Sequence, residues 1–139
     1  MFGVANSFVN QMLPQWTIRT LSDKEMENYR APFPTIRSRK AMQVFPADVP
    51  VNGKPVFSHT AIQNYYEWLQ ESAIPKLCFH ADPGMLIRPD DADWISQNFP
   101  NTEMIKLGVG SHFVQEDHPH VIGSCLAQWY LEITNNAIA

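Results

Sequence analysis

Hydrophobic and polar positions divide the chain into two zones. Residues 58–139 alternate helix and strand patterns, whereas residues 1–57 are rich in Met, Pro and irregular polar residues. In the second zone Ala61, Ile62, Tyr65, Trp68 and Leu69 recur at spacings of three and four. That pattern predicts an amphipathic helix, with Ser58 as its cap. Pro75 follows, and Leu77-Cys78-Phe79 is a short apolar run that reads as a buried strand. Pro89 suits the first turn of another helix, with Ala92, Ile95 and Phe99 on one face and Pro100-Asn101 at its end. Met104-Ile105-Lys106-Leu107 is the second predicted strand, and Gly108-Val109-Gly110 breaks it into a loop. Pro119 starts a last helix whose apolar stripe is Ile122, Cys125, Leu126, Trp129 and Ile133.

The first zone has one clear helix start. Ser22-Asp23-Lys24-Glu25 fits a capping box, in which the Ser22 hydroxyl accepts a backbone N–H and Glu25 reaches back to the cap. The helix should run through Met26 and Tyr29 until Pro32 and Pro34 stop it. Pro34, Pro46 and Pro50 lie between Pro32 and Pro55, which predicts a mostly extended loop over a surface or a cleft mouth.

The element order is therefore α-loop-α-β-α-β-α, and the fold class is α/β. Two strands joined by a helix form a parallel, right-handed βαβ unit. Parallel strands are normally buried on both faces and flanked by further strands. Two alone leave an unpaired edge, which is an aggregation hazard. A length of 139 residues suggests one domain. The element list reads instead as the last part of one.

Composition narrows the function classes. Hydrophobic residues make up 45% and charged residues 17%, a globular balance and not a disordered one. Ten basic against fourteen acidic residues give a net charge of −4. With no basic stripe, nucleic acid is a poor partner. No apolar run reaches the ~18–20 residues that span a membrane. The first basic side chain is Arg19, and Asn6, Asn10 and Gln11 interrupt the opening apolar stretch, so no secretory signal is expected. The expected location is cytoplasmic, with Cys78 and Cys125 free and buried. Two cysteines are too few for a disulfide scaffold.

Candidate chemistry gathers after the second strand, in Gly108-Val109-Gly110-Ser111-His112-Phe113-Val114-Gln115-Glu116-Asp117. Open α/β sheets place their ligands beyond the carboxyl ends of their strands. Histidine is the side chain best suited to proton transfer near neutral pH. His112 is thus either a general base or a polar loop residue. His118 and His120, with Glu116 and Asp117, lack the i, i+4 spacing of a helical metal pair, and Pro119 separates the histidines. Asp117 or His118 is expected to cap the helix at Pro119, and no metal is expected. Asp82, in Asp82-Pro83-Gly84, reads as a turn residue more readily than as the acid that orients His112. No serine sits in a G-x-S-x-G elbow and neither cysteine in a nucleophile motif. The chain offers a candidate base without a candidate nucleophile. Trp16, Phe45, Pro46, Met85 and Leu86 are apolar residues in loops or near chain breaks, suited to packing or to lining an apolar pocket.

Taken in order, these segments resemble the C-terminal portion of haloalkane dehalogenases, in the α/β-hydrolase superfamily. The resemblance rests on Phe8-Val9 through Met12-Leu13-Pro14, Arg19-Thr20-Leu21-Ser22, Glu25-Met26 and Tyr29-Arg30-Ala31-Pro32-Phe33. It continues through Phe45-Pro46, Val49-Pro50, Tyr66-Glu67-Trp68-Leu69, Ile74-Pro75-Lys76-Leu77, Asp82-Pro83-Gly84 and Phe99-Pro100-Asn101. Its strongest segment is Gly110-Ser111-His112-Phe113-Val114-Gln115-Glu116-Asp117. It implies a two-step mechanism in which a carboxylate displaces halide to form an ester and a histidine activates water to hydrolyse it. His112 matches that histidine. Phe8, Trp16, Phe45, Pro46, Val49, Met85, Leu86 and Phe113 match positions that line the family's apolar pocket and tunnel.

The resemblance also implies that residues 1–57 are the end of a helical cap and residues 58–139 the end of the hydrolase core. The family's nucleophilic aspartate, oxyanion donors and halide-gripping tryptophan lie upstream of anything that matches Phe8. The position where other α/β hydrolases carry the relay acid looks like Gly84. The expectation is therefore a chain that retains only the last member of the nucleophile–acid–His order, inactive by itself, with no cofactor and a small halogenated hydrocarbon as the whole enzyme's substrate. Two alternatives stand beside it. Coelenterazine-type luciferases of the same superfamily share the Asp-Pro-Gly, Phe-Pro-Asn-Thr-Glu and Gln-Glu-Asp segments. A non-catalytic module would instead self-associate through the unpaired strand edge.

Overall fold

The computed structural model describes residues 6–136. Helices are numbered in chain order. The first, α1 (Phe8–Met12), is a π-helical turn that runs into α2 (Leu13–Gln15). Then come α3 (Asp23–Arg30), α4 (Lys40–Asp48), α5 (Val56–Glu71), β1 (Lys76–Pro83), α6 (Pro89–Asn98), β2 (Thr102–Gly110), α7 (Val114–Asp117) and α8 (Pro119–Asn136). The chain divides into two compact units. One holds the chain up to Trp16 together with Thr20–Trp68, and the other holds Thr17–Arg19 and the chain from Leu69 onward. No helix among the described residues is long and apolar enough to cross a membrane.

In the first unit, Val9 and Leu13 are one helical turn apart, and each is only 2% exposed. With buried Leu21 and Met26 they form that unit's small core. The α1–α2 segment was not expected from sequence. Its signal was the spacing of Phe8, Val9, Met12 and Leu13, diluted by Asn10 and Gln11. The capping box of α3 is complete. The Ser22 Oγ accepts the Glu25 N–H at 3.3 Å, and the Glu25 carboxylate accepts the Ser22 N–H at 2.7 Å.

The proline-rich stretch corrects the expectation of an extended loop. Thr35 and Ser38 exchange hydrogen bonds, and the Arg39 Nε donates to the Phe33 carbonyl at 3.0 Å. The turn so made launches α4, which carries Pro46 within it. Because Pro46 falls late in the helix, it withholds only the N–H that would have met the Met42 carbonyl four residues back. Helix α5 also departs from expectation. It begins at Val56, and the Pro55 carbonyl accepts the His59 N–H, so Ser58 lies inside the first turn and does not cap it. Its expected apolar stripe is largely uncovered, with Ile62, Tyr65 and Trp68 all exposed.

In the second unit, β1 and β2 form a two-stranded parallel sheet joined through α6, as the apolar runs predicted. Helix α6 starts at Pro89 as expected, and the Asp91 carboxylate accepts the Arg88 N–H at its entry. Buried Ala92 faces inward, and the Trp94 and Phe99 rings meet edge to face at 5.7 Å. The strands run further than predicted. Gly108-Val109-Gly110 is strand and not loop, with Asp82 paired to Val109 and Pro83 to Gly110. Between His80–Lys106 and Asp82–Val109 the register slips by one residue on β2. Gly108, at φ +99°, takes up the extra residue as a bulge that a side chain would resist.

Register and alternation separate the two faces of the sheet. Leu77 pairs with Glu103 and Phe79 with Ile105. Glu103 and Ile105 line a hollow with Cys125 and Trp129, so this face is the one covered by α8. Past the bulge Gly110 returns to the same face, where a Cβ would come within 2.7 Å of the Ala81 methyl. Cys78 and Cys125 are free thiols, half-buried instead of fully enclosed.

Candidate functional site

The ends of the two strands build the site. Beyond Gly110 the chain turns through Ser111 and sets His112 at the carboxyl end of the parallel pair. On β1, Phe79, His80 and Ala81 reach the same end through the register. A pocket of about 120 Å³ lies there, lined by Phe79, His80, Ala81, Leu86, Ile87, Ser111, His112 and Val114. Five of these residues are apolar, and the polar groups are two imidazoles and one hydroxyl. The His112 ring stacks edge to face on Phe113, with centroids 4.6 Å apart. Its Nδ1 is buried. The Nδ1 of His80 is also buried and has no hydrogen-bond partner among the described residues.

The acidic and histidine residues that follow hold the loop in place. The Asp117 carboxylate accepts the backbone N–H groups of Ile18, at 3.0 and 3.1 Å, and Arg19, at 2.9 Å. The Arg19 guanidinium pairs with the Glu116 carboxylate at 2.9 Å, and its Nε donates to the Glu116 carbonyl. The Asp117 carboxylate thus ties down a distant strand of chain, where a helix cap had been expected. The His118 carbonyl accepts the Ile122 N–H at the start of α8, while its ring Nε2 lies 2.8 Å from the Val109 carbonyl oxygen. No three His, Cys, Asp or Glu side chains among the described residues converge as a metal site would require.

Of the residues singled out from sequence, His112 and Leu86 line one pocket, and Phe113 touches the His112 ring. Met85 belongs to the same unit but not to the pocket lining, and it is 47% exposed. Phe8, Trp16, Phe45, Pro46 and Val49 belong to the other unit. Phe8 and Trp16 are half-buried there, while Phe45, Pro46 and Val49 are exposed on or next to α4. Asp82 is no partner of His112 by its contacts. Its carboxylate is exposed and lies 3.8 Å from the Lys106 ammonium. Sequence reasoning missed Phe79, His80, Ala81, Ile87, Ser111 and Val114 as lining residues. The available signal was positional, since all of them sit within a few residues of the two strand ends.

A parallel strand pair, a crossover helix and a histidine just past the second strand are the parts of an α/β-hydrolase fold present here. Solved structures superpose on nearly the whole chain. Haloalkane dehalogenase DbeA from Bradyrhizobium elkani matches with a TM-score of 0.95 and 38% identity, over 98% of this chain and 47% of its own. A putative ancestral haloalkane dehalogenase matches with a TM-score of 0.93 and 41% identity, over 97% and 47%. Over nearly its whole length the chain is similar to the C-terminal portion of haloalkane dehalogenases. A haloalkane dehalogenase of Bradyrhizobium diazoefficiens is 40% identical over 125 residues, 90% of this chain and 40% of the relative. One from Mesorhizobium japonicum is 41% identical over 128 residues, 92% and 41%. The chain thus spans about 40% of the length of these curated relatives. No protein-family model matches it.

Proposed function

We propose that this chain carries the water-activating part of a haloalkane dehalogenase, with His112 as the base. The observation that carries the reading is the placement of His112 at the end of β2, on a pocket walled by Phe79, Ala81, Leu86, Ile87 and Val114. Such walls suit a short alkyl chain, which needs exclusion of water more than hydrogen bonds. In the first step a carboxylate oxygen attacks the halogen-bearing carbon, the carbon–halogen bond breaks with its electron pair, and halide leaves. An alkyl ester remains. In the second step His112 accepts a proton from water as the water oxygen attacks the ester carbonyl, which releases the alcohol and restores the carboxylate. Burial of Nδ1 favours Nε2 as the atom that meets the water in this reading. Phe113, against the ring, holds the imidazole plane.

The attacking carboxylate is assigned to a part of the enzyme beyond these 139 residues. In this reading residues 1–57 form the end of the cap, residues 58–139 the end of the core, and a small halogenated hydrocarbon is the substrate. Phe8, Trp16, Phe45, Pro46, Val49 and Met85 are the further pocket and tunnel positions that the resemblance assigns. The test is bromide release from a short bromoalkane. The 139-residue chain should release none above buffer. Turnover by this chain that disappears in His112→Ala would overturn the assignment of the nucleophile to another part of the enzyme.

A further inference from the structure

A tight turn precedes α5. Val51 donates its N–H to the Lys54 carbonyl at 2.8 Å, and Lys54 donates back to the Val51 carbonyl at 3.2 Å. The two residues between them, Asn52 at φ +51° and Gly53 at φ +78°, are both left-handed. An Asn-Gly pair with two positive φ angles inside such a doubly bonded bridge is a type I′ turn. Asn52 is exposed, and a Cβ built on Gly53 would meet nothing nearer than the His59 ring carbon Cδ2, at 3.9 Å. No other Asn-Gly pair occurs in the sequence. The pairing is a reactive one. The Asn52 side-chain amide carbon can close a five-membered ring with the Gly53 nitrogen, so attack is intramolecular. Glycine carries no Cβ to shield that nitrogen.

We propose that Asn52 is a self-modification site, converted by water through a cyclic imide, and that the turn gates the conversion. In the first step the Gly53 nitrogen bonds to the Asn52 Cγ and the Cγ–Nδ2 bond breaks. The displaced nitrogen takes up the Gly53 amide proton and leaves as ammonia. In the second step one water opens the imide. Attack at Cγ leaves an aspartate at position 52, whereas attack at the main-chain carbonyl reroutes the backbone through Cγ as an isoaspartate. Either product adds one negative charge to a net charge of −4. The isoaspartate also lengthens the backbone by one carbon, which misaligns Val51 and Lys54 and breaks their paired hydrogen bonds. The gate follows from stereochemistry. Ring closure needs the Gly53 nitrogen on the same side as the Asn52 Cβ. In a type I′ turn the first central residue takes ψ of about +30°, the mirror of type I, which turns that nitrogen roughly opposite Cβ. The turn must therefore open before the ring can close. Two hydrogen bonds hold it and Val51 is 68% exposed, so the opening is local and leaves the buried core of the unit in place.

The experiment incubates the 139-residue chain in mildly alkaline buffer, with and without denaturant, and follows each asparagine by peptide mass spectrometry. Asn52 is expected to convert ahead of every other asparagine and to give aspartate and isoaspartate peptides together. Conversion in denaturant is expected to be about fivefold faster or more than in the folded chain, because the turn no longer holds the nitrogen away. Gly53→Val is measured in denaturant, where its effect on folding does not enter. It should slow the conversion about tenfold or more, since a branched side chain crowds the attacking nitrogen. An Asn52 that keeps its amide, or loses it no sooner than the other asparagines, would overturn the site. Aspartate without isoaspartate would overturn the imide, because direct hydrolysis of the side chain yields only the former. Equal rates with and without denaturant would overturn the gate.

Discussion

At the scale of single residues, short-range chemistry dominates. The Ser22 hydroxyl and the Glu25 carboxylate satisfy two backbone donors that α3 would otherwise leave open. Ser22→Ala should cost about 1 kcal/mol, read as a fall in the α3 helical signal and in the denaturant midpoint. Cys78 is governed by burial, which pushes its thiol up from the ordinary cysteine range. Its alkylation at mildly alkaline pH should be slower in the folded chain than in denaturant. The sign for stability follows from linkage. The thiol ionises at lower pH when unfolded, so its contribution is complete below the unfolded value and is lost as pH rises through the folded one. A chain whose stability increases across that alkaline window would contradict this. The Asp117 carboxylate, which holds two backbone N–H groups, belongs to the same scale but acts across 99 positions of sequence.

Elements obey a mixture of local and non-local rules. Pro46 sits inside α4 and removes one bond from a short helix. Pro46→Ala should restore it and stabilise α4 by up to about 3 kcal/mol, visible as a gain in far-ultraviolet helicity. Loss of helicity on that substitution would mean that the ring packs against something essential. Helices α3, α6 and α8 were legible because their stop and start signals are covalent neighbours: Ser22 with Glu25, Pro89, Pro119. Helix α4 was not legible, since its proline argued for a loop and the turn that launches it depends on side-chain bonds from Thr35, Ser38 and Arg39. The extension of β2 through Gly110 was illegible for a related reason. Glycine weakens a strand locally, and only pairing with Asp82 and Pro83 recruits these residues into the ladder.

For the whole molecule the controlling fact is the small amount of buried apolar side chain. Only Val9, Leu13, Leu21, Met26, Ala81, Ala92 and Leu107 are buried apolar residues among those described, shared between two units. A sheet of two strands with an open edge adds little cooperativity. Leu77→Ala is accordingly expected to cost less than about 1 kcal/mol, against the 2–5 kcal/mol usual for a buried leucine. The measurement is the thermal transition of the 139-residue chain, expected to be broad and nearly unchanged by the substitution. A sharp transition displaced by many degrees would show a cooperative core that the observed burial does not provide. The absence of halide release from this chain is a prediction of the same scale, because it depends on which parts of a larger fold are present.

Sequence alone determined the features that nearest neighbours control. These are the α3 cap, the proline starts of α6 and α8, the two apolar strand cores and the position of His112 just after the second of them. It also carried the family resemblance, because order and spacing survive without coordinates. Tertiary structure decided what depends on contacts between distant positions. It made a helix of the proline-rich stretch, drew Gly108–Gly110 into the sheet, turned Asp117 toward Ile18 and Arg19, and placed His80, Ile87 and Val114 around His112. The physical reason is that caps and breakers act through bonds a few residues long. Pockets and strand ends are set by register and side-chain packing, which no local pattern encodes.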